Sequence, residues 1–328
     1  NLGPRADTGE DLLVDRDLEV RGEDRDITLH GDGATRIMTI DPEATITVSD
    51  LRFNNGYATK GGAVYNDGTA TFVNVEFSSN NAIWKKHITS SDDLDEGLGG
   101  AIYNEGSLTI DGGRFVNNGT LPTSVNEALL IGSTEFGGAI FTRGETVVKN
   151  STFESNQAYV GGAIAAIDGT LTVENSTFVG NTTDRAAGIY ALVPTTVVAS
   201  TFDSNVAKAT NEALVNIHGG AIYASSRLTF KADPESDSNR AVTFTNNTAG
   251  IGGAFFADKG FEVYGDMVAT GNEATMGEGG AIRVNGYILV DGNIDVSNNK
   301  AATSAGAISA YTIDVTGSLV ANNNTALG

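Results

Sequence analysis

The chain has 328 residues, enough for one large domain or two ordinary ones, and 40% of them are hydrophobic, enough for a packed core. A formal net charge of −21 argues against nucleic acid or an anionic membrane as partner, and the lack of cysteine excludes disulfides and thiolate metal sites. Gly is frequent at 41 residues while Pro is scarce at 5, which excludes collagen, and no run approaches the roughly 20 apolar residues of a membrane helix.

In chain order, Asn1 opens the sequence in place of Met, without a basic and then apolar leader, so the chain is read as a processed or cut piece. Residues 1–26 are rich in charge, with Asp11, Asp15, Arg16, Asp17, Glu19, Arg21, Glu23, Asp24, Arg25 and Asp26, and are expected to form an N-terminal cap or leader. Repetition begins near Ile27-Thr28-Leu29 and continues to residue 328.

Two phrases alternate along this stretch. Gly-Gly-Ala followed by an apolar residue starts at Gly61-Gly62-Ala63, Gly99-Gly100, Gly137-Gly138, Gly161-Gly162, Gly219-Gly220, Gly252-Gly253 and Gly279-Gly280. Degenerate copies lie at Ala186-Ala187-Gly188-Ile189 and Ala305-Gly306-Ala307-Ile308. Phe-x-x-Asn pairs Phe77 with Asn80, Phe115 with Asn118, Phe153 with Asn156, Phe178 with Asn181, Phe202 with Asn205, and Phe244 with Asn247. Phe53-Asn54-Asn55-Gly56 is an imperfect first copy, and weaker late copies end at Asn272, Asn299 and Asn323.

Phe153 to Phe178 spans 25 residues and Phe178 to Phe202 spans 24. Within one such period, Leu171 and Val173 alternate with polar residues in Thr170–Phe178, the two-residue period of a half-buried strand. Asn66-Asp67-Gly68 and Asn104-Glu105-Gly106 supply turn chemistry before the corresponding strands. The expected fold is therefore all-β: a right-handed parallel β-helix of about ten three-strand coils. The Gly pairs would allow a tight corner or a close backbone approach, the Phe rings would stack inside, and the Asn side chains would form a ladder between coils.

Asn156 to Gly161 and Asn247 to Gly252 each take 5 residues, but Asn80 to Gly99 and Asn118 to Gly137 each take 19, and Asn205 to Gly219 takes 14. Three insertions, Ile83–Leu98, Gly119–Phe136 and Val206–His218, thus leave the same corner, and the first two leave successive coils and should touch. The first holds Trp84 beside Lys85 and Lys86, the make-up of an exposed anchor; the opposite reading, Trp84 packed on the helix flank, weighs equally. It also holds Asp92, Asp93, Asp95 and Glu96, an acidic run without the spacing of a calcium loop. Ser124 and Glu127 read as a capping box, so the second insertion should hold a short helix. Leu129, Leu130, Leu214 and Val215 should pack against the coils, and a fourth, polar insertion covers about Lys231–Arg240. The array stops at Gly328 where another Gly-Gly-Ala is due, so more coils are expected beyond it.

His30, His87 and His218 fall in no hydrolase or metalloprotease motif, and His218 is read as a coil corner. No cofactor, metal or catalytic residue is expected. The alternating phrases resemble the repeats of the polymorphic outer membrane proteins, autotransporter adhesins, over residues ~53–323. The resemblance implies a passenger at the bacterial outer-membrane surface and a C-terminal membrane barrel in the full-length protein; the absence of Cys departs from many family members. The expected function is adhesion to a protein or glycan receptor through the corner loops. The alternatives are a polysaccharide lyase or hydrolase and a structural rod that self-associates end to end.

Overall fold

The structure is a computed structural model that describes residues 11–22, 27–84, 96–121, 134–186, 188–208, 217–233 and 241–328. Contacts divide the chain into two units, Asn1–Gly169 and Thr170–Gly328. Both are built the same way, from short strands that pair in parallel with their equivalents one period away. With the hand that parallel crossovers adopt, this is a right-handed parallel β-helix.

The first sheet is made by the residues that follow each Gly-Gly-Ala: Val64–Asn66 pairs with Ile102–Asn104, which pairs with Ile140–Thr142, which pairs with Ile164–Ala166. The second is made by the alternating strands, such as Thr69–Val73 on Ser107–Asp111 in the first unit and Leu228–Lys231 on Gly260–Tyr264 in the second. The third carries the Phe residues, with Phe53, Phe77, Phe115 and Phe153 in register in the first unit and Phe178, Phe202 and Phe244 in the second.

The three strands expected of each coil form these three sheets, and a further two- to four-residue strand runs at the insertion corner, as in Asn81–Ala82 on Tyr57–Ala58 and Thr248–Ala249 on Glu273–Ala274. The boundary at residues 26 and 27 moves. Leu12–Val14 pairs with Met38–Ile40 and Leu18–Arg21 pairs with Thr45–Ser49, so the ladder already includes the charged segment. That segment hides its period because Glu19 and Arg21 face outward, Leu13 is an exposed apolar residue, and only Val14 is fully buried among its apolar residues.

Two interior columns hold each unit. The Phe rings stack at 5.0, 4.8 and 4.6 Å from Phe53 to Phe153, and at 4.7 and 5.0 Å from Phe178 to Phe244. Each buried ring contributes roughly 1.5–3 kcal/mol of apolar burial. Where Ala269 succeeds Phe244, the vacated volume is filled by Phe230, Phe255 and Phe261, whose centroids lie 4.9–5.7 Å apart. Beside the rings runs the amide ladder. Asn80 Nδ2 donates to Asn118 Oδ1 and Asn118 Nδ2 to Asn156 Oδ1, both at 3.0 Å. In the second unit the chain of amides is Asn181, Asn205, Asn247, Asn272, Asn299 and Asn324. The last rung is thus Asn324, not Asn323, which holds a positive φ and bonds Asn298 at the surface. Residues just before the ladder amides, such as Ser79, Asn117, Ser155, Ser204 and Asn246, all lie in the left-handed region, which turns the following amide inward.

The Gly pair does two separate jobs. Gly99 and Gly137 have φ of +66° and +64°. Gly100 has an ordinary φ, but a Cβ there would lie 2.0 Å from Gly138 O, so the next coil leaves no room for a side chain.

Candidate functional site: the insertion corner of the first unit

The two long insertions of the first unit grow from adjacent coils. Asn81–Ala82 lies on Tyr57–Ala58, and Ile83 N donates to Ala58 O at 2.9 Å, before the chain leaves at Trp84. It returns with Gly97 N on Thr59 O at 2.7 Å and Leu98 bridged to Lys60. One coil further, Thr134 N donates to Thr120 O at 2.8 Å and closes the neck of the second insertion. Glu135 N then bonds Gly97 O, and Phe136 bridges Leu98. The Thr134 hydroxyl reaches Asn81 Oδ1 at 2.9 Å and Ala82 O at 2.7 Å, so the two necks are tied together.

Of the loop residues singled out from sequence as binding candidates, Trp84 and Glu96 lie among those described. Trp84 is 1% exposed, so it is packed rather than presented as an anchor, and its Nε1 has no partner among the described residues. Glu96 is half-buried at the returning strand. Lys85, Lys86, Asp92, Asp93 and Asp95 fall outside the described residues, as do His87, the capping box at Ser124 and Glu127, Leu129, Leu130, Leu214, Val215 and residues 234–240. Among the described residues no group of three His, Asp or Glu side chains is placed to hold a metal.

The structure adds Glu135, which sequence reasoning passed over. It is 6% exposed, its Oε2 has no partner among the described residues, and desolvation pushes its pKa up to about 8. A signal did exist: an acid stands directly before Phe136-Gly137-Gly138, where the corresponding residues are Thr59, Gly97 and Tyr159.

Beside the corner, outward-facing rings of the first sheet form a second column. Tyr65 stacks on Tyr103 at 5.0 Å, and Tyr103 on Phe141 at 5.3 Å. Cations lie over them: Arg36 at 5.2 Å from Tyr65, Lys60 at 5.0 Å from Tyr103 and Arg143 at 5.4 Å from Phe141. Glu105 accepts both tyrosine hydroxyls. Desolvation opposes its charge, but those two bonds and the Lys60 and Arg143 charges outweigh it and hold the carboxyl below its ordinary range. Burial and the bond to Glu105 raise Tyr65 and Tyr103. The second unit repeats the theme at its own insertion corner. There His218 bridges Ile251, as a coil-corner residue should, and stacks on Phe256 at 4.3 Å, while the Tyr223 hydroxyl donates to Asp258 at 2.6 Å. The two insertions of the first unit therefore leave from necks tied to each other by hydrogen bonds.

Residues 241–258 match the Chlamydia polymorphic membrane protein repeat. The matched segment contains both phrases, Phe244 with Asn247 and Gly252-Gly253-Ala254-Phe255, together with the left-handed Asn246 that turns Asn247 inward. No curated protein and no solved structure matches the chain. In this repeat the chain is similar to the polymorphic membrane proteins of Chlamydia, and the matched repeat lies within a parallel β-helix.

Proposed function

We propose that the chain is the non-catalytic passenger of an outer-membrane surface protein, and that it binds a receptor through the loops at the insertion corner. The repeat match supports surface display of this type. The observation that carries the binding reading is the pair of necks on adjacent coils, tied through Thr134, which would present two loops side by side on a stiff base. The receptor is a protein or glycan of a host or neighbouring cell.

Replacing residues 85–95 and 122–133 by short Gly-Ser bridges tests this. Adhesion of beads coated with the chain to cultured cells should disappear, while the thermal midpoint stays within a few degrees of the parent. Undiminished adhesion of the loopless protein would refute the proposal.

A further inference from the structure

A second surface with the make-up of a binding site lies in the second unit, on the outer face of its second sheet. Strand alternation places Thr196 opposite Thr229, and Thr229 opposite Glu262; the neighbouring column is Val198, Lys231, Tyr264 and Asp291. The residues between them, Val197, Phe230 and Val263, point inward and are 0–1% exposed. Over Thr196 and Thr229 lies an open groove of about 500 Å³, with Arg227 on one side and Lys231 and Tyr264 on the other. That volume suits a few sugar rings or a small ligand.

Among the described residues, two cations and no carboxylate line the groove, in a chain of net charge −21. Arg227 is bonded to Glu262 at 2.7 Å, yet its side chain remains 67% exposed. Glu262 also receives the Tyr264 hydroxyl at 3.1 Å and the Tyr287 hydroxyl at 3.4 Å. The carboxylate therefore orients the guanidinium and both phenols from the groove's border. Lys231 is exposed and has no side-chain partner among the described residues. Tyr264 and Tyr287 are 42% and 48% exposed, and the Tyr287 ring lies against Gly260, where a Cβ would come within 3.0 Å of it.

The backbone narrows the class of ligand. Leu228–Lys231 is paired on both sides, with Thr195–Val198 and with Phe261–Tyr264, so a peptide cannot add to it as a further strand. Recognition has to use side chains: hydroxyls on the floor, cations at the sides and phenol rings at the edge. We propose that this groove binds an acidic oligosaccharide, with Arg227 and Lys231 meeting its carboxylate or sulfate groups and Tyr264 packing against a sugar ring. The inference is independent of the corner loops, and Glu262, the carboxylate at the groove's border, is engaged by Arg227.

Titration calorimetry with three hexasaccharides tests it: hyaluronan, which carries carboxylates alone; chondroitin sulfate, which adds sulfates; and neutral chitohexaose. At least one acidic hexasaccharide should bind, more weakly as salt rises, and chitohexaose should not. Stronger binding of chondroitin sulfate would identify sulfate as the preferred group, and equal binding would identify the carboxylate. Lys231→Glu and Thr196→Glu should each weaken binding roughly tenfold or more, without changing the thermal midpoint. The loopless protein should bind as the parent does, so failure of the loop reading leaves this one standing. Absence of binding by both acidic sugars at millimolar concentration, equal binding of chitohexaose, or indifference to both substitutions would overturn the proposal.

Discussion

Asn247→Ala removes the middle rung of the second unit's amide ladder. Asn247 Nδ2 donates to Phe202 O and to Asn272 Oδ1, each at 3.0 Å, while its Oδ1 accepts from Asn205 N at 3.0 Å and from Asn205 Nδ2 at 2.9 Å. Alanine deletes all four contacts. Asn272 Oδ1 keeps the Asn247 backbone N–H at 2.9 Å and Asn205 Nδ2 keeps Phe178 O at 3.0 Å, but the Phe202 carbonyl and the Asn205 backbone N–H lose this partner in an interior where Asn205 and Asn247 are 0% exposed. A buried polar group left unpaired costs about 1–3 kcal/mol, and the two are neighbours that relax together, so the expected loss is roughly 3 kcal/mol. Asn246→Gly is the matched control. Its side chain is exposed, glycine tolerates the φ of +55°, and only a surface bond to Asp203 at 3.2 Å is lost, so its cost should stay within about 0.5 kcal/mol. Equilibrium urea unfolding followed by circular dichroism measures both, and hydrogen exchange at Asn205 and Thr248 localises the damage. A loss below about 1 kcal/mol for Asn247→Ala, or one equal to the control, would show that the ladder is not a source of stability.

Glu135 should make the first unit's stability depend on pH. Its folded pKa, about 8, lies above the ordinary 4.5, so the folded state keeps a proton that the unfolded chain releases. The associated stability is complete below pH 4.5 and is lost as pH rises through about 8, at roughly 1.4 kcal/mol per pH unit. Glu135→Gln should flatten that slope in urea titrations across this window, and an unchanged slope would contradict the assignment. Gly253→Ala brings a Cβ within 2.2 Å of Gly280 O, a backbone atom with no freedom to swing aside, and should cost roughly 3 kcal/mol or more in thermal unfolding. Gly33→Ala meets nothing closer than 3.6 Å and should cost only the roughly 1 kcal/mol of its left-handed φ. Because Trp84 is the sole tryptophan, its emission should be blue-shifted and shielded from iodide; red-shifted, freely quenched emission would refute its burial.

Translation along one axis accounts for everything that was legible in the order of the residues. When a chain repeats with a nearly constant step and its strands pair in parallel, each residue lies on its own equivalent. Phe77 over Phe53 and Asn118 beside Asn80 were therefore readable from spacing, as was the corner at which the insertions leave; which glycine of each pair takes the left-handed turn and which the close approach came from the structure. The tertiary structure decided matters that depend on which face a residue takes and on what lies across the coil boundary. Spacing named Asn323 as the last rung, but a left-handed residue must precede each rung, and Asn323 takes that role while Asn324 turns inward. Trp84 was open to two readings because no sequence period continues into an insertion; its burial depends on how the neck packs. Glu135, and the grouping of Thr196, Arg227, Thr229, Lys231 and Tyr264, draw their character from neighbours on other coils. Charge, desolvation and concavity arise from such neighbours in space, and they become visible only once the register has brought those coils together.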